Sequence, residues 1–154
     1  MPDTAGTKPI ASNRKAFHDY HIVDSFEAGV VLTGTEVKSL RANGCSLVDG
    51  FARIKNGEAW LCNVQIPVYG HGTFFSQHEP RRDRKLLLHA EQIRRLVGKL
   101  QEKGLTLVPL RAYFRKGRVK VELGLARGKT KYDKRERIKK REAEREIARH
   151  ARKS

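Results

Sequence analysis

Apolar and polar positions alternate through Phe51-Ala52-Arg53-Ile54-Lys55 and again through Glu58-Ala59-Trp60-Leu61-Cys62, on either side of Asn56-Gly57. Asn-Gly supplies the positive φ angles of a two-residue turn, so the pattern predicts a β-hairpin. A second alternation sets Val119, Val121, Leu123 and Leu125 against Arg118, Lys120, Glu122 and Gly124. With residues 105–114 before it and Arg115-Lys116-Gly117 between, it predicts another hairpin, in which Pro109 marks a bulge or an edge of the first strand. The period changes over residues 87–103, where Ile93, Leu96, Val97 and Leu100 form one helical stripe that Gly104 terminates.

Earlier in the chain, residues 20–23 predict a strand and, after a turn, residues 29–32 a second extended stretch. A short helix follows, capped by Thr33 or Thr35. Glu36 stands three positions after Thr33, as a capping box requires, and Asn43-Gly44 ends the helix. Val37 and Leu40 would turn inward there, with Lys38 and Arg41 outward. Residues 1–12, with Pro2, Gly6 and Pro9, predict a loose arm, and residues 67–85 a long polar connection. The fold class is therefore mainly β: a small antiparallel barrel over residues 13–127 with flanking helices, followed by a basic tail over 128–154.

Charge changes the picture most. The 154 residues carry 33 Lys and Arg against 17 acids, a formal +16, far above the roughly 2–8 usual for a small soluble domain. Residues 127–154 hold 13 Lys and Arg and five acids, so half of the excess sits in the tail. From Asp133 the tail lacks Pro and Gly, and Arg137, Arg141, Arg145 and Arg149 recur at four-residue spacing. A helix would line these arginines along one side, where they repel one another unless an anion neutralises them. That predicts a tail disordered alone and helical when bound.

Catalytic chemistry has little to stand on. There is no P-loop, no dinucleotide fingerprint and no nucleophile with an evident base, so the chain is not predicted to be an enzyme. Cys45 and Cys62 fit neither a disulfide framework nor a zinc site, and His18, His21, His71 and His78 are scattered; no metal or cofactor is predicted. A reducing cytoplasm is the expected location. No apolar run is long enough to span a membrane, and Ile138 and Ile147 give the tail a poor face for a bilayer surface.

Nucleic acid suits the charge better. Small barrels bind it with aromatic platforms and basic fringes. Candidate platforms are Phe17, Tyr20, Tyr69, Phe74, Phe75 and Tyr113, and Arg81, Arg82, Arg84 and Lys85 form a candidate phosphate-binding cluster. Engagement of 6–10 phosphates would cost about 10³–10⁵ in affinity between about 50 and 200 mM salt.

Several long blocks then agree with one family. Asn13-Arg14-Lys15-Ala16, His18-Asp19-Tyr20, Phe26-Glu27-Ala28-Gly29 and Gly34-Thr35-Glu36-Val37-Lys38-Ser39-Leu40-Arg41 are followed, in order, by Arg84-Lys85-Leu86-Leu87-Leu88 and by Glu102-Lys103-Gly104-Leu105-Thr106-Leu107-Val108-Pro109-Leu110. Gly124-Leu125-Ala126-Arg127-Gly128-Lys129 and Tyr132-Asp133-Lys134-Arg135 complete the series. From about Asn13 to Lys140 the chain resembles the bacterial SsrA-binding protein family, SmpB.

The resemblance implies an oligonucleotide-binding-type barrel that binds the tRNA-like domain of transfer-messenger RNA and delivers it to stalled ribosomes. It implies a tail that becomes helical in the decoding centre and empty message channel, against small-subunit ribosomal RNA. It also implies indirect partnership with alanyl-tRNA synthetase and elongation factor Tu, by a monomer, one per RNA. Carried over by motif, Asn13, Arg14, Lys15, Tyr20, Glu27, Glu36, Lys38, Arg84 and Lys85 belong near RNA, and Gly128, Lys129, Lys131, Tyr132, Asp133, Lys134, Arg135, Arg137, Lys140 and Arg141 belong to the ribosome-binding segment.

Bland alternatives stand beside several of these. For Glu36 the alternative is a helix cap, for Asn13 a turn cap, for Glu27 a surface ion pair, for Lys15 and Lys38 plain solvation, and for Tyr132 packing back on the barrel. The alternative function is a ribosomal structural protein bound constitutively to ribosomal RNA.

Overall fold

The computed structural model describes residues 6–68 and 79–128. Seven strands and three helices follow one another as β1 (Thr7–Ser12), α1 (Arg14–Asp19), β2 (Tyr20–Val30), α2 (Gly34–Asn43), β3 (Phe51–Lys55), β4 (Glu58–Cys62), β5 (Arg84–Leu87), α3 (Ala90–Leu100), β6 (Leu105–Arg115) and β7 (Arg118–Gly128). All pairings are antiparallel, and six strands close a ring in the order β6, β3, β4, β5, β2, β7 and back to β6. Strand β1 adds to the far end of β6, from Thr7 opposite Arg115 to Ser12 opposite Arg111. The ring leaves no open edge, the arrangement expected of a small barrel.

Both predicted hairpins form. Asn56 and Gly57 have φ of 53° and 75°, and Lys116 and Gly117 have 49° and 75°. Pro109 lies at a bulge, where the β6–β7 register shifts between Pro109 and Arg111. The extra residue reverses the alternation of β6. Val108 and Leu110 pack outward under α1 with Ala16 and Ala126, whereas Leu107 and Ala112 point into the barrel with Leu61, Leu86, Val121 and Leu123.

Four expectations change. Residues 7–12, expected within a loose arm, form β1, because the end of β6 offers them a paired edge. The turn expected between two short strands after Tyr20 is a bulge at Val23 inside one long β2, with Asp24 Oδ1 accepting the Ser25 N–H at 2.9 Å. The helix expected over 87–103 is shorter, because Arg84–Leu87 is drawn into β5 between β4 and β2. Leu96 alone of its predicted stripe is fully buried, and Val97 is 41 % exposed. Strand β7 is also longer than expected: Gly128 is still paired with Tyr20.

Candidate nucleic-acid interface

Asn13 fixes α1 to the barrel. Its side-chain oxygen accepts the Ala16 N–H at 3.1 Å, and its amide donates to the carbonyls of Leu47 at 3.0 Å and Pro109 at 2.9 Å. The residue is 1 % exposed. Its side chain is engaged internally, and it places Arg14, Lys15 and Phe17, all exposed, on the outer face of the barrel. The Arg111 guanidinium lies over the Phe17 ring, 5.0 Å from its centroid, and pairs with buried Glu122 at 2.7 Å.

Glu36 and Arg84 likewise turn inward. Thr33 and Glu36 form the capping box, with the Thr33 N–H donating to Glu36 Oε1 at 2.9 Å. The same carboxylate receives Arg82 at 2.6 Å and the Nε of Arg84, and neither Glu36 nor Arg84 has exposed surface. Arg84 further donates to the carbonyls of Val64 at 2.9 Å and Pro80 at 3.1 Å. Burial on its own would raise the Glu36 carboxyl, but the hydrogen bonds from Arg82, the Thr33 backbone and Arg84, with the Arg84 charge, outweigh it and hold it at about 2. Of the two roles open to Glu36, the geometry gives capping, and adds a buried ion pair.

The expected phosphate-binding cluster is thereby dispersed. Arg84 is internal, Arg82 faces Glu36, and Arg81 donates to Asn63 at 2.7 Å and Gln65 at 3.3 Å. Lys85 instead lies on β5 opposite Trp60, its amine 3.4 Å from Glu58.

Lys85 lines a hollow of about 710 Å³ on the outer face, together with Glu27, Gly29, Glu58, Leu87, His89 and Lys120. Within it Glu27 is fixed from behind: its Oε2 accepts the Tyr113 hydroxyl at 2.5 Å and Arg115 Nη1 at 2.9 Å. These bonds fix the carboxylate and leave Oε1 without a hydrogen bond among the described residues. Tyr113, a candidate stacking platform by sequence, is 8 % exposed; burial first, then the bond and charge of Glu27, push its phenol well above the ordinary range. Leu87 is 55 % exposed beside it. A Cβ on Gly29 would come within 3.3 Å of Leu87 Cβ and 3.6 Å of Lys120 Nζ, so glycine keeps this floor open.

Tyr20 and Lys15 line a smaller hollow of about 260 Å³ with Asp19, Val48, Phe51 and Thr106. Gly128 pairs with Tyr20, so the basic tail begins covalently at this rim. Lys38 is exposed on α2, apart from both hollows. The predicted RNA-facing residues thus divide into Arg14, Lys15 and Tyr20 at α1, Glu27 and Lys85 in the larger hollow, and Lys38 on α2. Sequence missed Lys120, an ordinary outward position of its strand, and Leu87, expected as the first residue of the helix over 87–103. Tyr69, Phe74, Phe75, His71 and His78 lie outside the described residues, as do Lys129, Lys131, Tyr132, Asp133, Lys134, Arg135, Arg137, Lys140 and Arg141.

Other chemistry is sparse. Burial pushes the Cys45 thiol up to about 11 despite the Arg84 charge, and burial first, with Asp83, also raises Cys62. Neither is an activated nucleophile. Among the described residues no three His, Cys, Asp or Glu gather as metal ligands, and no helix is long and apolar enough to cross a membrane.

Comparison with known proteins bears on the family and the fold. The family model described as SmpB protein matches residues 10–153. The SsrA-binding protein of Acidothermus cellulolyticus is 65 % identical over 149 residues, 97 % of this chain and 93 % of that protein. That of Thermobifida fusca is 65 % identical over 144 residues, covering 94 % and 89 %. A chain in the solved structure "tmRNA-SmpB: a journey to the center of the bacterial ribosome" superposes with a TM-score of 0.67 at 53 % identity, covering 79 % of this chain and 85 % of that one.

Proposed function

The chain belongs to the SmpB protein family, and from that premise we propose that it is a non-catalytic RNA-binding factor that holds the tRNA-like domain of transfer-messenger RNA and brings it to stalled ribosomes. The observation that carries this is the hollow around Glu27. A fixed carboxylate oxygen can accept only from a donor, such as a ribose 2′-hydroxyl or a base amino group. Lys85 and Lys120 beside it suit the flanking phosphates, and the exposed Leu87 suits the apolar face of a sugar or base. A purely electrostatic contact would need no fixed carboxylate among its lining residues.

Arg14, Lys15 and Tyr20 extend the contact around α1. The tail, from Lys129 onward, is the ribosome-directed part: Tyr132 stacks in the decoding centre, and Arg137, Lys140 and Arg141 line a helix that ribosomal RNA neutralises in the vacant message channel. Alanyl-tRNA synthetase and elongation factor Tu act on the RNA that this protein holds, so their partnership is indirect. One monomer serves one RNA in the cytoplasm.

Crosslinking in cells followed by sequencing of the retained RNA tests the proposal. Enrichment of a single tRNA-like RNA is expected. Recovery of ribosomal RNA from all ribosomes, without that RNA, would instead mark a constitutive ribosomal protein.

A further inference from the structure

A third concavity, of about 700 Å³, is built from four separate parts of the chain. Strand β1 contributes Lys8, Pro9 and Ile10, α2 contributes Leu40 and Arg41, β6 contributes Phe114, and the β6–β7 turn contributes Lys116 and Gly117. None of its lining residues is acidic. Several basic side chains elsewhere in the barrel are matched by carboxylates: Arg53 pairs with Asp83, Arg82 and Arg84 with Glu36, Lys85 with Glu58, Arg111 with Glu122, Arg115 with Glu27 and Arg127 with Glu102. Lys8, Arg41 and Lys116 make no ion pair among the described residues. Three like charges around one groove repel each other, and an anionic occupant would turn that repulsion into attraction.

The groove also carries a ring. The Arg41 guanidinium lies over Phe114, 5.3 Å from the ring centroid. A guanidinium placed over a ring still has N–H groups for acceptors, and the cation–ring pair is a surface on which a base can stack. Ile10, Pro9 and Leu40 give this pair an apolar floor. Side chains alternate along β6, so Phe114 faces away from Tyr113 and Arg115, and the groove shares no residue with the hollow around Glu27.

We infer that this groove binds a short run of single-stranded RNA, one base stacked on the Arg41–Phe114 pair and the phosphates beside it held by Lys8 and Lys116. The unpaired strand follows from the chemistry, since a duplex hides its base faces while an unstacked base can meet a guanidinium plane. An acidic peptide would satisfy the cations but would leave the stacked pair unused. This rests on the RNA-binding function proposed above and adds a separate subsite to it.

The test uses the full-length protein, a short oligouridylate bearing 4-thiouridine and a fluorescein label, and mass-spectrometric mapping of the crosslinks. Mapping separates the groove from the basic tail. Crosslinks are expected at β1, α2 and the β6–β7 turn. Phe114→Leu alters no charge and should lower the crosslink yield there about tenfold; Lys8→Gln with Lys116→Gln should lower it comparably and flatten its salt dependence by about 0.7 of a log unit per lost phosphate contact. Circular dichroism checks the fold of each variant, and Arg41→Gln, on the exposed side of the pair, serves if Phe114→Leu unfolds. Unchanged yield in the folded variants would overturn the inference, as would displacement of the RNA by oligoglutamate at the concentration at which unlabelled oligouridylate displaces it. Lys85→Gln with Lys120→Gln keeps the two proposals apart: if only these weaken capture of the structured RNA and the groove never crosslinks, the subsite fails and the proposed function stands.

Discussion

Tyr113 and Glu27 are 86 positions apart in sequence, yet the Tyr113 hydroxyl donates to Glu27 Oε2 at 2.5 Å and, with Arg115, aims the carboxylate into the outer hollow. Tyr113→Phe removes one of the two bonds without changing the ring. It is expected to cost about 1–2 kcal/mol in urea unfolding and to weaken capture of the tRNA-like RNA by roughly fivefold, equivalent to about 1 kcal/mol. Because the folded phenol has a raised pKa, its stabilising contribution is complete below about pH 10 and is lost as pH rises further. The variant should lack that alkaline loss.

Glu36 gives the opposite pH dependence. Its folded pKa of about 2 lies below the ordinary value of 4.5, so its contribution is present above about pH 4.5 and disappears as pH falls toward 2. The shift corresponds to on the order of 3 kcal/mol. Unfolding curves across that window should flatten in Glu36→Gln, which also loses about 3–5 kcal/mol at neutral pH by leaving Arg84 buried without its counter-charge.

Asn13 and Lys15 are two residues apart and should fail differently. Asn13→Ala removes a helix cap and the amide's bonds to the Leu47 and Pro109 carbonyls, of which Leu47 keeps the Gly50 N–H at 2.9 Å, an expected loss of about 2–4 kcal/mol in stability. The salt dependence of RNA binding by the folded fraction should not change. Lys15→Gln should leave the unfolding free energy within about 0.5 kcal/mol of wild type and reduce the salt slope by about 1. A salt slope that moves with Asn13→Ala instead would return Asn13 to the RNA.

A chain ending before Tyr132 should capture RNA at near wild-type affinity and yet fail to release stalled ribosomes in a reconstituted translation reaction. Persistent release at normal rates would remove the tail from the mechanism.

What the sequence made legible was local. Asn56-Gly57, Lys116-Gly117 and the Thr33–Glu36 capping box each declare themselves within a few residues, and each appears in the fold. Strands β1 and β5 do not, because their reason to be extended is a partner elsewhere: the end of β6 for Thr7–Ser12, and the gap between β4 and β2 for Arg84–Leu87. Arg84 looks like a surface cation until Glu36, 48 positions earlier, is folded against it. The candidate site was legible to the extent that family motifs name residues. Their division between structural and outward-facing roles needed burial, and Lys120 and Leu87 needed the neighbours that three other strands and a helix supply.

The pairing of Tyr20 with Gly128 has one more consequence. The tail does not leave the barrel through a slack connector: the residue before Lys129 is clamped in the sheet, and the clamp is the strand that also carries Glu27. The 26 residues beyond Gly128 can extend at most on the order of 90 Å, and under the proposed function that reach is measured from a post that the bound RNA positions. The molecule therefore resembles a surveyor's tape with a fixed zero. Glycine–serine residues inserted after Gly128 would shift every mark along it, even with both ends of the protein otherwise intact.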